Sequence, residues 1–258
     1  MQIQPISALS IAGITFSLLV AFALPITLCV FACRKLKAKV SCFFIGCLTF
    51  IVFALILEQI LHVVVFSAAG TALTGNIWLY GLYGGLAAAA FEETGRFLAM
   101  KLFMKKKLSR ENAVMYGIGH GGIEAILLVG VLYLNNLITA IMINTGSFEA
   151  SLSLLDPSLQ ETTVQSLSPL WTTPGYHFFI AGIERILALL LQICLSVIIY
   201  QAVSGKKRFF LLAFGIHFLV DFAAVVASNY ISILWVELIT LVLVAATAFF
   251  TLRIYKKG

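Results

Sequence analysis

The chain has 258 residues, of which 61% are hydrophobic and only 11% charged, with a mean hydropathy of +1.05. Soluble domains of this size carry roughly 25% charged residues, so the composition excludes a soluble globular protein. The net charge of +6 does not signal nucleic acid either, because the basic residues sit in short clusters at the ends of apolar runs.

A bilayer accepts only helices or closed barrels. The apolar runs here reach 20 residues or more without alternating, which selects helices. The fold expected is an all-α, polytopic membrane bundle of about seven transmembrane helices. The spans fall near 6–33, 40–66, 76–103, 112–146, 175–204, 208–228 and 230–255. The first run lacks a basic leading segment and is too long for a cleaved signal's apolar core, so it is expected to be retained. Pro25 is placed to bend it. The fourth run exceeds one crossing, and its tail after Asn135-Asn136 is expected to tilt, kink or lie in the interface. Residues 1–258 then form a single integral-membrane domain. Its catalytic core is spans 76–228, with 6–66 and 230–255 peripheral.

Orientation follows from the basic residues. Fifteen of the seventeen lie in alternate loops and the C-terminus, whereas the loops near 67–77, 145–175 and 228–230 hold none. The positive-inside rule puts the N-terminus outside and the C-terminus in the cytosol of a multi-pass cell-membrane protein. In the long loop, Asp156-Pro157 reads as an N-cap followed by proline at the first helical position. A short helix from Pro157 to Leu167 is expected there, with Trp171 as an interface anchor. Cys29, Cys33, Cys42, Cys47 and Cys194 make an odd set without a tight Cys-x-x-Cys pair, and read as small buried hydrophobes.

Three runs carry groups that hydrocarbon penalises, and an intramembrane ionisable residue is a functional-site hypothesis by default. They are Glu92-Glu93-Thr94-Gly95-Arg96 in span three, Tyr116 to Glu124 with His120 in span four, and His217-Phe218-Leu219-Val220-Asp221 in span six. At 1.5 Å per residue, Glu93 lies about 12 Å from Lys101, His120 about 12 Å from Asn112, and His217 about 13.5 Å from Arg208. All three therefore sit at one depth, in the cytosolic half. Glu124 and Asp221 follow their histidines at i+4, on the same helix face. Gly81-x-x-x-Gly85 and Gly117-x-x-x-Gly121 suggest that spans three and four pack closely as a hairpin.

Peptide hydrolysis needs an activated water and oxyanion stabilisation. Adjacent buried carboxylates cannot both ionise cheaply unless Arg96 or a metal compensates. Arg96, at i+4 and i+3 from Glu92 and Glu93, is placed to hold one of them. His120 and His217 could donate to an oxyanion, shuttle a proton, or bind zinc with a carboxylate. The sequence leaves a zinc-bound and a glutamate-activated water both open, and it has no His-Glu-x-x-His motif. The candidate metal ligands are His120, Glu124, His217 and Asp221. Glu58 and His62 share a face of span two and read as a structural or outer-mouth pair. Glu184-Arg185 reads as an ion pair, Glu237 as a buried partnered carboxyl, and His177 as an inert interface residue.

These residues resemble the YhfC family of predicted intramembrane metalloproteases, within the wider group of CAAX-prenyl and bacteriocin-processing proteases. That group shows a glutamate pair followed by arginine, an aromatic-x-x-x-His, and a His-x-x-x-Asn or Asp on successive spans. Here they read Glu92-Glu93-Thr94-Gly95-Arg96, Tyr116-x-x-x-His120 and His217-x-x-x-Asp221. The arginine comes one residue earlier than in the prenyl-protease pattern, and tyrosine replaces the usual phenylalanine. The resemblance implies that Glu92 activates water, that Glu93 and Arg96 support it, and that His120 serves as base or ligand. His217 and Asp221 would bind the oxyanion or a metal. The expected activity is an intramembrane endopeptidase, with Zn2+ as candidate cofactor and a hydrophobic or membrane-anchored peptide as substrate. The rival readings are a proton- or ion-coupled transporter and a non-catalytic membrane scaffold. Neither an inverted repeat nor paired broken helices is visible, which counts against the transporter.

Overall fold

The computed structural model describes residues 3–257, apart from the Lys257 side chain. Every regular element among them is helical. In chain order these are α1 (Ala8–Lys35), α2 (Val40–Phe50), a π-helical segment (Ile51–Glu58), α3 (Gln59–Thr74), α4 (Ile77–Phe103), α5 (Arg110–Ala125) and a second π segment (Ile126–Gly130). They continue as α6 (Val131–Thr145), α7 (Ser147–Leu152), α8 (Pro157–Leu167), α9 (Pro169–Thr172), α10 (Tyr176–Val203), α11 (Arg208–Ser228) and α12 (Ile233–Lys257). Six helical stretches among the described residues are long and apolar enough to cross a membrane. The seventh expected span, α4, has 27 residues, enough for about 40 Å. It falls outside the six because Glu92, Glu93, Arg96 and Lys101 dilute its apolar character.

Boundaries follow local chemistry. Asn76 caps α4, its side chain accepting hydrogen bonds from the Trp78 and Leu79 amides. Ser109 does the same for α5, its hydroxyl accepting from the Asn112 amide at 3.2 Å. Helix α8 covers the expected Pro157–Leu167 with proline in the first turn, but the Asp156 side chain makes no capping hydrogen bond. Only its backbone carbonyl accepts, from the Leu159 and Gln160 amides. Span two runs on through α3 to Thr74, beyond the expected end at 66, with a non-helical Gly70 (φ 49°) inside it. The fourth span does not break at Asn135-Asn136. Its irregular turn comes earlier, at Ile126–Gly130, and α6 ends at Gly146 in a left-handed conformation (φ 77°) that glycine adopts without steric cost.

The residues fall into two compact units. One comprises the chain up to Leu24 together with Ala125–Ile186. Its core gathers Ile6, Ile14, Ala140, Leu170 and Phe178. Asn144 ties the segment before α1, accepting from the Ile6 amide at 2.7 Å and donating to the Ile6 carbonyl at 2.9 Å. The other unit comprises Pro25–Glu124 and everything from Leu187 onward. Its core includes Met100, Met104, Met115, Tyr116, Leu195, Ile198 and Ile199, and it holds every residue of the three charged motifs.

Close backbone contacts set the helix pairing in this second unit. A Cβ on Gly119 would stand 2.0 Å from the Phe43 carbonyl oxygen, and one on Gly46 would stand 2.2 Å from that of Tyr116. Helices α2 and α5 thus touch backbone to backbone beside His120. Pro25 lies against Gly122, whose missing side chain leaves room for the ring. The glycine pairs expected to form a hairpin of spans three and four pack elsewhere. Gly81 and Gly85 face Val226, Phe222 and Phe218 of α11, while Gly117 and Gly121 face Ile193, Gln192 and Leu189 of α10. Small residues permit close approach, but spacing does not name the partner helix.

Candidate functional site

Helix α4 presents Glu92, Glu93 and Arg96 on one buried face, because positions three and four apart are neighbours on a helix. Glu93, Arg96 and His120 have no exposed surface, and Glu92 (7%) and His217 (3%) have little. Such groups survive burial only when paired and hydrogen-bonded. The pairing here is extensive.

Glu92 Oε2 lies 2.8 Å from His120 Nε2 on α5 and 3.8 Å from Arg96 Nη2. Glu93 Oε1 lies 2.8 Å from His217 Nδ1 on α11 and 3.3 Å from Arg96 Nη1. The other His217 nitrogen stands 3.4 Å from Asp221 Oδ2, and the Asp221 side chain remains 34% exposed. Two adjacent carboxylates thus each hold one histidine, and one guanidinium lies between them. Two carboxylates and one guanidinium leave a single negative charge, which a proton within the cluster would neutralise. The His120 ring is fixed by the edge of Phe50 (5.2 Å between ring centres) and by Tyr116 (6.0 Å).

One participant escaped the sequence reading. Gln192 on α10 donates from Nε2 to Glu92 Oε2 (3.0 Å) and to Glu124 Oε2 (2.9 Å), and its Oε1 accepts from Arg96 Nη2. It joins three site residues, yet a lone glutamine in an apolar run carries no motif. Its only signal is the cost of burying an amide, since it is 4% exposed. Glu58 is also closer than expected. It is buried, and its carboxyl interacts electrostatically with Glu92, His217 and Asp221. Glu58 and His62 pair as expected, in contact at 3.3 Å. Glu58 closes the π segment Ile51–Glu58. Glu184 and Arg185 pair with each other at 2.6 Å, as expected.

Four buried atoms of the paired residues, Glu93 Oε2, Arg96 Nε, Arg96 Nη1 and His120 Nδ1, have no hydrogen-bond partner among the described residues. The donor types would suit zinc, which takes imidazole and carboxylate ligands. The arrangement does not. No three His, Cys, Asp or Glu side chains among the described residues stand together as a ligand set. His120 and Glu124 lie on the Glu92–Gln192 side, whereas His217 and Asp221 lie on the Glu93 side. Each imidazole is closed onto a carboxylate, and Arg96 already supplies both carboxylates with positive charge. What the side chains form is a hydrogen-bonded and ion-paired network.

On the α4–α11 side lies a groove of about 480 Å³ lined by Thr94, Phe97, Leu98, Phe210 and Leu211, with Lys207 and Arg208 at its end. Thr94 belongs to α4, the helix that carries Glu92, Glu93 and Arg96.

The model of one protein family, described as YhfC intramembrane metalloprotease, matches residues 20–243. A Bacillus subtilis (strain 168) protein named "Uncharacterized membrane protein YhfC" is 40% identical over 196 residues, 75% of each chain. No solved structure matches.

Proposed function

The chain belongs to the YhfC intramembrane metalloprotease family, and from that membership and the buried carboxylate–imidazole network we propose that it is an intramembrane endopeptidase with a glutamate-activated water. The observation that carries this reading is the Glu92–His120 contact of 2.8 Å, held in place by Gln192 and Arg96. A carboxylate positioned this firmly and buried beside an imidazole is suited to general base catalysis.

In this mechanism Glu92, whose side chain keeps 9% exposure, removes a proton from water as the water oxygen bonds to the scissile carbonyl carbon. His217, oriented by Glu93, donates to the oxygen as negative charge develops on it, from the nitrogen that faces Asp221. When the carbon–nitrogen bond breaks, the proton taken from water passes to the departing amine, directly from Glu92 or through His120. Arg96 balances the paired carboxylates before and after the step. The family name implies a metal, but the side chains as arranged offer it no ligand set, so no step is assigned to one.

The substrate class is a hydrophobic or membrane-anchored peptide, supported by the apolar groove beside Thr94. The two basic residues at its end would attract an acidic or carboxylate-bearing part of that peptide. In the same reading α4 also crosses the bilayer, giving seven spans with the N-terminus outside and the C-terminus cytosolic. The test is cleavage of membrane-embedded hydrophobic peptides by purified protein in liposomes. Glu92→Gln is expected to lower turnover by about 10²–10⁴-fold with the fold intact, and a strong chelator to leave turnover unchanged. Full activity in Glu92→Gln would remove the proposed base. Chelator-sensitive turnover restored by zinc would replace the mechanism with a metal-dependent one.

A further inference from the structure

Glu58, His62 and Tyr83 are not used by the hydrolytic scheme, yet they form a connected row. The Tyr83 hydroxyl lies 2.7 Å from His62 Nδ1, and His62 Nε2 lies 3.3 Å from Glu58 Oε1. Burial rises along the row. Tyr83 is half-buried, the His62 side chain is 21% exposed and that of Glu58 is 9% exposed. Beyond Glu58 the next ionisable groups are Glu92 of α4 and His217 and Asp221 of α11, all in electrostatic range of its carboxyl. Tyr83 precedes Glu92 by nine residues on α4, about 13.5 Å along the axis. The row therefore runs from the N-terminal half of α4 to a carboxyl that interacts electrostatically with the charged cluster.

Simple helix packing does not account for this composition. A carboxyl, an imidazole and a phenol are each penalised in hydrocarbon, and buried ionisable rows in membrane proteins mark proton relays. All three types can both give up and accept a proton. The π segment Ile51–Glu58 adds a second observation, since π turns concentrate at functional sites and this one ends on the innermost member of the row.

We propose that Tyr83, His62 and Glu58 form a proton relay connecting the Glu92–His217 cluster with the N-terminal half of α4. The proposal rests on the peptidase reading for its purpose. Hydrolysis moves one proton from water through Glu92 to the leaving amine, so the chemistry itself consumes none. The carboxylic acid product gives its own proton to the cluster as it departs as a carboxylate, and the relay carries that proton away, returning the cluster to its resting proton count. Glu58 passes protons to and from the cluster, His62 carries them by exchanging the proton between its two nitrogens, and Tyr83 links His62 to the wetter end. The groups that face Glu58 are His62 on its own span, Glu92 on α4, and His217 and Asp221 on α11.

The experiment needs no substrate. Infrared spectra of the full chain in liposomes, taken at a pH low enough to protonate its carboxyls, give carbonyl bands whose hydrogen–deuterium exchange follows mixing with D2O. The Glu58 and Glu92 bands are assigned by their disappearance in Glu58→Gln and Glu92→Gln. His62→Phe is expected to slow exchange of the Glu58 band by about tenfold or more, and Tyr83→Phe, which keeps the ring, to slow it by a smaller factor. Added imidazole is expected to restore fast exchange in His62→Gly. Unchanged exchange in both His62→Phe and Tyr83→Phe would overturn the relay, whatever the peptidase assay reports. Conversely, the absence of any cleavage by the wild-type protein would end the peptidase reading while leaving the exchange result standing.

Discussion

Arg96 is the residue whose loss the structure prices most clearly. Its guanidinium has no exposed surface and lies 3.3 Å from Glu93 and 3.8 Å from Glu92. With an effective dielectric near 20, those separations correspond to about 5 and about 4 kcal/mol of gross attraction. Desolvating the guanidinium returns several kcal/mol of that gain. Arg96→Met keeps the bulk of the side chain but strands two adjacent buried carboxylates, and breaking a buried pair in this way costs about 3–5 kcal/mol. Removing one of those charges in the double variant Arg96→Met, Glu93→Gln is expected to recover a substantial part of the stability and none of the activity. The assay is reversible unfolding in mixed detergent micelles, read by near-ultraviolet circular dichroism, for wild type, both single variants and the double. An Arg96→Met protein within about 0.5 kcal/mol of wild type would refute the reasoning, because surface substitutions without such partners behave that way. So would a double variant no more stable than Arg96→Met, since the two effects must couple if the charges meet.

Further outcomes follow from other contacts. Gly119→Ala puts a Cβ 2.0 Å from the Phe43 carbonyl and is expected to lower stability by about 1–3 kcal/mol through overpacking. Gly84→Ala, where a Cβ meets nothing within 4 Å, is expected to be neutral or to stabilise by about 0.5–1 kcal/mol; thermal midpoints compare the two. Gln192→Leu removes donors to Glu92 and Glu124 and should cost about 1–3 kcal/mol for the groups it leaves unsatisfied. Its turnover falls too, measured beside unfolding in the same preparation. Leu211→Trp fills the α4–α11 groove from an exposed position. It should raise KM for a hydrophobic peptide with little change in thermal midpoint.

Much of the candidate site was legible before the fold. Glu92, Glu93, Arg96, His120, His217 and Asp221 stand out because each breaks an apolar run, and a bilayer does not tolerate such residues without partners. Counting residues from the basic span ends put them at one level, and the structure brings these six side chains into one network. The helical composition and the α8 segment followed from equally local rules, namely apolar length and proline at a first turn.

Pairing was not local. Gly81 and Gly85 announce a close helix contact, but only the folded chain directs them to α11 instead of α5. Gln192 is chemically silent in sequence and becomes central because α10 brings it within 3.0 Å of Glu92. A sequence specifies which groups cannot remain in hydrocarbon alone, since transfer cost belongs to each side chain. Which partner relieves that cost depends on directions and distances between helices, and these exist only once the backbones have packed.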